Sequence, residues 1–197
     1  MRFSRQSARI GVLSIQGAVG PLLKKLRELH TDVAEVRNSH ELKHCNALIL
    51  PGGESSAMIH IAKQNGLWEA LQIFVTHKPT WGICAGAILL AQEVSHPAQD
   101  SLAALDIGIE RNAFGRQADS FIDMIDCADG KKVEGFFIRA PRIKRVGAKA
   151  QVRGLWQGEP VFVEEGLARV TTFHPELTDE NTLHRDFLEK CQLSQAH

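Results

Sequence analysis

Long apolar runs are missing from this 197-residue sequence. No window approaches the roughly 20 apolar residues that a membrane span needs. The basic N-terminus MRFSRQSAR has no uninterrupted apolar core behind it, because Gln16 and Gly17 break IGVLSIQGAV too early for a signal peptide. An excess of either charge is missing too: Lys+Arg and Asp+Glu number 23 each. No global basic field therefore draws nucleic acid or an anionic membrane. Cysteine pairs are absent, since Cys45, Cys84, Cys127 and Cys191 stand far apart with no C-x-x-C among them. That spacing argues against a zinc knot or a disulfide framework and suits a reducing compartment. The expectation is a cytoplasmic globular protein with neither metal nor cofactor. No repeat, low-complexity tract or linker divides the chain. Residues 1–197 are expected to form one domain, with residues 1–8 as a flexible overhang, burying roughly 70% of the unfolded surface.

What is present is alternation. Ile10 to Ile15 reads as a buried strand, and Leu22, Leu23, Leu26 and Leu29 follow at helical spacing. Val33 to Val36 and Ala47 to Leu50 predict further strands, the second ended by Pro51-Gly52-Gly53. Glu54, Ser55 and Ser56 suit a helix start running to Gln64, and Leu67 to Thr76 predicts another helix. Thr80 to Ile83 then predicts a strand and Ala85 to Ala91 a helix. Strand and helix alternating at this spacing predict a parallel sheet covered on both faces. The later part is richer in strand signals: Ile107 to Ile109, Ser120 to Ile125, Phe136 to Ile138, Val161 to Val163 and Ala168 to Thr172, before a last helix from Asn181 to Cys191. The sheet is therefore expected to be mixed. Arg139 to Arg145 (RAPRIKR) is the one local basic stretch, readable as a partner surface or as a solvated loop and strand edge.

The chemistry concentrates at Gly82-Ile83-Cys84-Ala85-Gly86. This is the G-x-nucleophile-x-G form of a nucleophile elbow, in which flanking glycines let a strained residue stand at a strand-to-helix corner. A helix N-terminus favours negative charge on the sulfur, and the Ala85 N–H points where an oxyanion would form. The same five residues also suit a buried structural cysteine. His174-Pro175-Glu176 follows the apolar strand ARVTTF. In an extended segment residues two apart project to one side, so Glu176 can accept the imidazole N–H and stabilise its charged form. Alone, HPE also reads as a surface turn; beside an elbow cysteine it supplies the missing base. Pro51-Gly52-Gly53-Glu54-Ser55 ends the third strand. It can reach the elbow at the sheet's carboxyl edge, where Gly52 and Gly53 could offer a second oxyanion donor.

GICAG together with FHPE resembles the class I (triad) glutamine amidotransferases. The order IGVLSIQGAV, LILPGGESS, WGICAG, ERNAFGRQADSF, FIRAP and FHPEL is similar, from Ile10 to Leu177, to the glutaminase subunits of pyridoxal 5′-phosphate synthase. RNAFGRQ and FIRAP are that subgroup's own marks. The glutaminase of imidazole glycerol phosphate synthase shares the triad but resembles these segments poorly. The resemblance implies a flavodoxin-like three-layer α/β/α sandwich with a mixed, mainly parallel central sheet. It implies Cys84 as nucleophile, His174 as base and Glu176 as orienting acid. It assigns glutamine binding to Gly53, Glu54, Ser55, Arg111, Ile138 and Arg139, and puts Gln16 near the site and the partner interface. It further implies ammonia delivery to a (β/α)₈-barrel synthase subunit in a large hetero-oligomer, without membrane or nucleic acid. The chain departs from the family pattern at Val19-Gly20-Pro21-Leu22, where an acidic residue and a histidine are usual, and at Ile83 and Ser56, where threonine is. Other readings of the residues are a flavodoxin-like cysteine hydrolase and a catalytically silent regulatory subunit.

Overall fold

The computed structural model describes residues 8–111 and 120–193. Four short apolar segments, β1 (Ile10–Leu13), β2 (Val33–Val36), β3 (Ala47–Leu50) and β4 (Thr80–Ile83), run parallel. Every residue of β1, β3 and β4 is buried, as strands covered on both faces require. The links between these strands are α1 (Val19–Glu28), α2 (Ser39–Lys43), and the pair α3 (Ser55–Gln64) and α4 (Trp68–His77). Past β4 come α5 (Ala85–Leu90), β5 (Ala91–Ser95) and β6 (Leu105–Glu110). Then follow β7 (Phe121–Cys127), β8 (Lys132–Phe137), β9 (Arg142–Val146), β10 (Gln151–Trp156), β11 (Glu159–Glu165), β12 (Ala168–Thr171) and α6 (Thr182–Leu193).

The main sheet has the order β2-β1-β3-β4-β12-β11-β10-β7-β8. Five parallel strands, ending with β12 beside β4, are extended by four antiparallel ones. A second sheet, β5-β6-β9, stands apart. One apolar layer packs α2 to α5 on the sheet through Leu42, Met58, Leu71 and Phe74; the opposite layer uses Leu22 and Leu26 of α1 and Phe187 of α6. The three-layer α/β/α arrangement with a mixed sheet is the one the sequence predicts. Among the described residues no helix is long and apolar enough to cross a membrane.

Two local departures have physical causes. The helix after Cys84 stops at Leu90, and Ala91 opens β5, which pairs parallel with β6. RAPRIKR divides into a turn and β9, whose Ile143 packs inward while Arg145 pairs with Glu93 and Asp106. Residues 1–7 of the expected overhang lie outside the described residues, and Ala8 is buried against the α1 and α6 layer.

The topology decides where a site can form. The chain leaves β1 toward β2 and returns to place β3 on the other side of β1. Turns after β1 and β3 therefore converge at the carboxyl edge of the sheet, the usual ligand crevice of such folds. β4 and β12 are neighbours with Thr171 opposite Ile83. The segments that continue them, Cys84 and His174, must emerge side by side.

Candidate active site

Cys84 occupies a sharp strand-to-helix corner at φ 51° and ψ −102°, a left-handed setting that costs a residue with a Cβ roughly 1–3 kcal/mol. The corner is pinned from both sides. Its N–H donates to Thr171 O at 2.8 Å, and its carbonyl accepts from Ala87 N and Ile88 N at the start of α5. The flanking glycines are sterically required. A Cβ on Gly86 would lie 2.1 Å from Leu50 O, and one on Gly82 2.4 Å from Gly86 O. Gly86→Ala is therefore expected to cost about 2–3 kcal/mol, the scale of an overpacked core, read as a lower urea midpoint. An unchanged midpoint would refute this packing.

His174 reaches the corner from β12. Its backbone is bridged to β8, with His174 N donating to Phe136 O at 2.8 Å. The imidazole Nδ1 meets Glu176 Oε1 at 2.7 Å, and both side chains are buried. Glu176 does not lie on an extended segment as the sequence suggested. His174 is extended, but Pro175–Leu177 form a 3₁₀ turn with proline at its start, which brings the carboxylate back under the ring. Burial alone would push the imidazole toward its neutral form. The neighbouring Cys84 and the hydrogen bond to Glu176 outweigh it and raise the His174 pKa to about 10. The ring, which shares the cleft with the sulfur, therefore favours its protonated form.

The Pro51 turn closes the other wall. A Cβ on Gly52 would lie 2.2 Å from His174 Cε1, so only glycine leaves room for the ring. Gly52 O accepts from Ala18 N at 2.9 Å, and Glu54 N donates to Gln16 Oε1 at 2.9 Å. The turn after β1 thus clamps the turn after β3. Arg111, buried at the end of β6, donates to Glu54 Oε1 at 3.0 Å and Ser56 Oγ at 2.8 Å. Ser55 and Ser56 hydroxyls both reach Gln99 Oε1. Ile138 and Arg139 arrive from the loop after β8, Arg139 at φ 44°, and Cys84 Sγ lies 3.9 Å from Ile138 O.

These walls enclose a cleft of about 310 Å³, within the range of small-molecule sites. The match with known proteins is extensive. A family model described as SNO glutamine amidotransferase family covers residues 12–193. The chain belongs to the SNO glutamine amidotransferase family. A pyridoxal 5′-phosphate synthase subunit PdxT from Koribacter versatilis is 43% identical over 182 residues, covering 92% of this chain and 94% of that protein. A protein of the same name from Deinococcus radiodurans is 43% identical over 186 residues, covering 91% and 95%. A solved glutamine amidotransferase superposes with a TM-score of 0.87 at 38% identity, covering 92% of this chain and 98% of that one. The fold alone is shared with a glutamine amidotransferase from Thermotoga maritima, at a TM-score of 0.60 and 15% identity, covering 94% of this chain and 85% of that one.

Within this amidotransferase chain, the cleft is lined by Gly52, Gly53, Glu54, Ser55, Cys84 and Ala85 on one side. Arg111, Ile138, Arg139 and His174 line the other. Glu176 stands behind His174, and Gln16 behind Gly53, against which a Cβ would come within 2.4 Å of Gln16 Oε1. Sequence reasoning missed Ala18, Ile88 and Pro141, which also line the cleft. Ile88 was accessible, being one helical turn beyond Cys84; Ala18 and Pro141 fall inside IGVLSIQGAV and FIRAP but carry no reactive group to single them out. Of the RNAFGRQ mark, Arg111 is in place, and 112–117 lie outside the described residues.

Proposed function

We propose that the chain is a glutaminase subunit that hydrolyses L-glutamine to L-glutamate and ammonia through a thioester on Cys84, supplying the ammonia to a pyridoxal 5′-phosphate synthase subunit. The observation that carries this reading is the buried His174 imidazole, held by Glu176 at 2.7 Å and sharing one cleft with a sulfur on a strained corner. Cys84 Sγ attacks the carboxamide carbon of glutamine. The Ala85 N–H and one N–H of the Gly52-Gly53 turn stabilise the oxyanion, an interaction strongest in the transition state. As the tetrahedral intermediate collapses, His174 gives its proton to the departing nitrogen and ammonia leaves. The neutral imidazole then takes a proton from water, whose oxygen attacks the thioester; the C–S bond breaks, glutamate departs, and the sulfur is free again with the proton left on His174 for the next cycle.

Arg111 is the natural partner for the α-carboxylate of glutamine. Its bond to Glu54 keeps its charge compensated until substrate binds. Ammonia protonates at neutral pH and is then a poor nucleophile, so direct delivery to a second active site is favoured. The names of the relatives, subunits of pyridoxal 5′-phosphate synthase, support a synthase partner; in this reading it is a (β/α)₈ barrel in a large cytoplasmic hetero-oligomer. The test is glutamate release by the purified chain, alone and with its cognate synthase. Stimulation by the synthase and trapping of Cys84 by 6-diazo-5-oxonorleucine are the expected results. Equal rates with and without the synthase would remove the partner from the scheme, and labelling at another residue would remove the thioester.

A further inference from the structure

We propose that Lys25 is a positioning residue for the acid–base pair, tying α1 to the turn that carries Glu176 and so keeping the imidazole aimed at the sulfur. This rests on the glutaminase reading of the site. Lys25 is only 8% exposed, between Leu22 and Leu26 on the inward side of α1. An ammonium is costly to bury unless its donors are satisfied. Here Nζ donates to Thr178 O at 2.5 Å and reaches Glu180 O at 3.4 Å. Both carbonyls belong to the stretch that directly follows the Pro175–Leu177 turn.

That turn is weakly held by its own backbone. Leu177 N to His174 O measures 3.5 Å and Thr178 N to Pro175 O 3.4 Å, long for such bonds. Its entry is fixed by the His174–Phe136 bridge. Its exit is fixed by Thr178 Oγ1 on Pro175 O at 3.1 Å and by Lys25, the long-range tie. The carboxylate adds no anchor of its own. Glu176 Oε1 is engaged by the ring it must orient, and Oε2 has no hydrogen-bond partner among the described residues. The aim of Glu176 therefore depends on its backbone, and its backbone depends on Lys25. The same helix begins beside Ala18, whose N–H holds Gly52 O. α1 thus braces the oxyanion turn at one end and the acid–base turn two helical turns later.

Lys25→Met, Lys25→Arg and, as a control, Lys24→Met separate this role from simple packing; Lys24 is exposed and pairs with Glu28 at 3.9 Å. With synthase present, Lys25→Met is expected to lower kcat about 10–100-fold, the scale of a displaced catalytic group. KM for glutamine should stay within about twofold, Lys25→Arg should recover most of the loss, and Lys24→Met should match the parent. A second measurement needs no turnover: ¹⁵N NMR titration of the His174 ring, assigned with His174→Gln. Its midpoint should fall from about 10 in Lys25→Met as the hydrogen bond to Glu176 loosens. An unchanged kcat, a change in KM alone, or an unshifted ring titration would each overturn the proposal. If Lys25→Met does not fold, Lys25→Gln keeps an N–H donor group without the charge, and the same titration decides. A wild-type chain that releases no glutamate would count against the glutaminase reading, while the ring titration still judges Lys25.

Discussion

Cys84→Ala is expected to lower glutaminase turnover on the order of 10⁶-fold, the scale seen when a covalent nucleophile is removed from a triad, while leaving the fold intact. The proposed oxyanion donors and the other walls of the cleft remain in that variant, so a residual acceleration on the order of 10³ over water is compatible with the scheme. A companion variant tests the corner itself. Alanine keeps a Cβ at φ 51°, whereas glycine removes it from a region that L side chains rarely adopt. Ordinarily glycine is the less stable residue, because it loses more freedom on folding. Here the released strain is larger, and Cys84→Gly should exceed Cys84→Ala by about 1 kcal/mol in urea unfolding. Both variants should be inactive. Activity within tenfold of wild type in Cys84→Ala would end the covalent mechanism. Alanine matching or exceeding glycine in stability would mean that the corner is not strained.

The parallel half of the fold was legible because its strands are short and apolar and, the edge strand β2 apart, buried along their whole length. Val33–Val36, Ala47–Leu50 and Thr80–Ile83 have the bounds that their apolar runs suggest. Of the second sheet only β6 was, through Ile107 to Ile109. β5 follows α5 with no turn residue between them, and only Ala91 and Val94 mark AQEVS as a strand. β9 reads RIKRV, and its neighbours are engaged by charge: Arg145 with Asp106 at 2.6 Å and Lys144 with Glu110 at 3.7 Å. β10 was hidden by the register shifts around Gly154. At the site, the elbow and HPE were readable since each is a local pattern with its own chemistry. The supports behind them were not: the resemblance put Gln16 near the site without its role, and nothing marked Lys25. Gln16 holds a backbone N–H and Lys25 holds backbone carbonyls, groups that every sequence possesses. No pattern in the side chains announces such a partner.

Glu176→Gln is the second large effect, expected to lower kcat by about 10⁴-fold with little change in KM, as when a triad acid is made neutral. The amide fits the same space, so the loss reports charge and orientation rather than volume. It also has a signature in pH. Burial of His174 favours the neutral ring, and the neighbouring Cys84 and Glu176 reverse that preference, placing the folded pKa at about 10 against 6.5 for the free side chain. Between those values the folded protein binds more protons than the unfolded chain, so this group's contribution to stability falls as pH rises. The contribution is complete below about pH 6.5 and gone above about pH 10. Removing the Glu176 charge leaves burial opposed by Cys84 alone and lowers the ring's pKa. The stability of wild type relative to Glu176→Gln should therefore be greatest near pH 6.5 and shrink steadily toward pH 10. Urea unfolding of both proteins across that window measures the difference directly, with every other titrating group common to the two. Parallel curves would show that the carboxylate does not hold the proton on His174. Turnover within tenfold of wild type would show that it does not orient the ring.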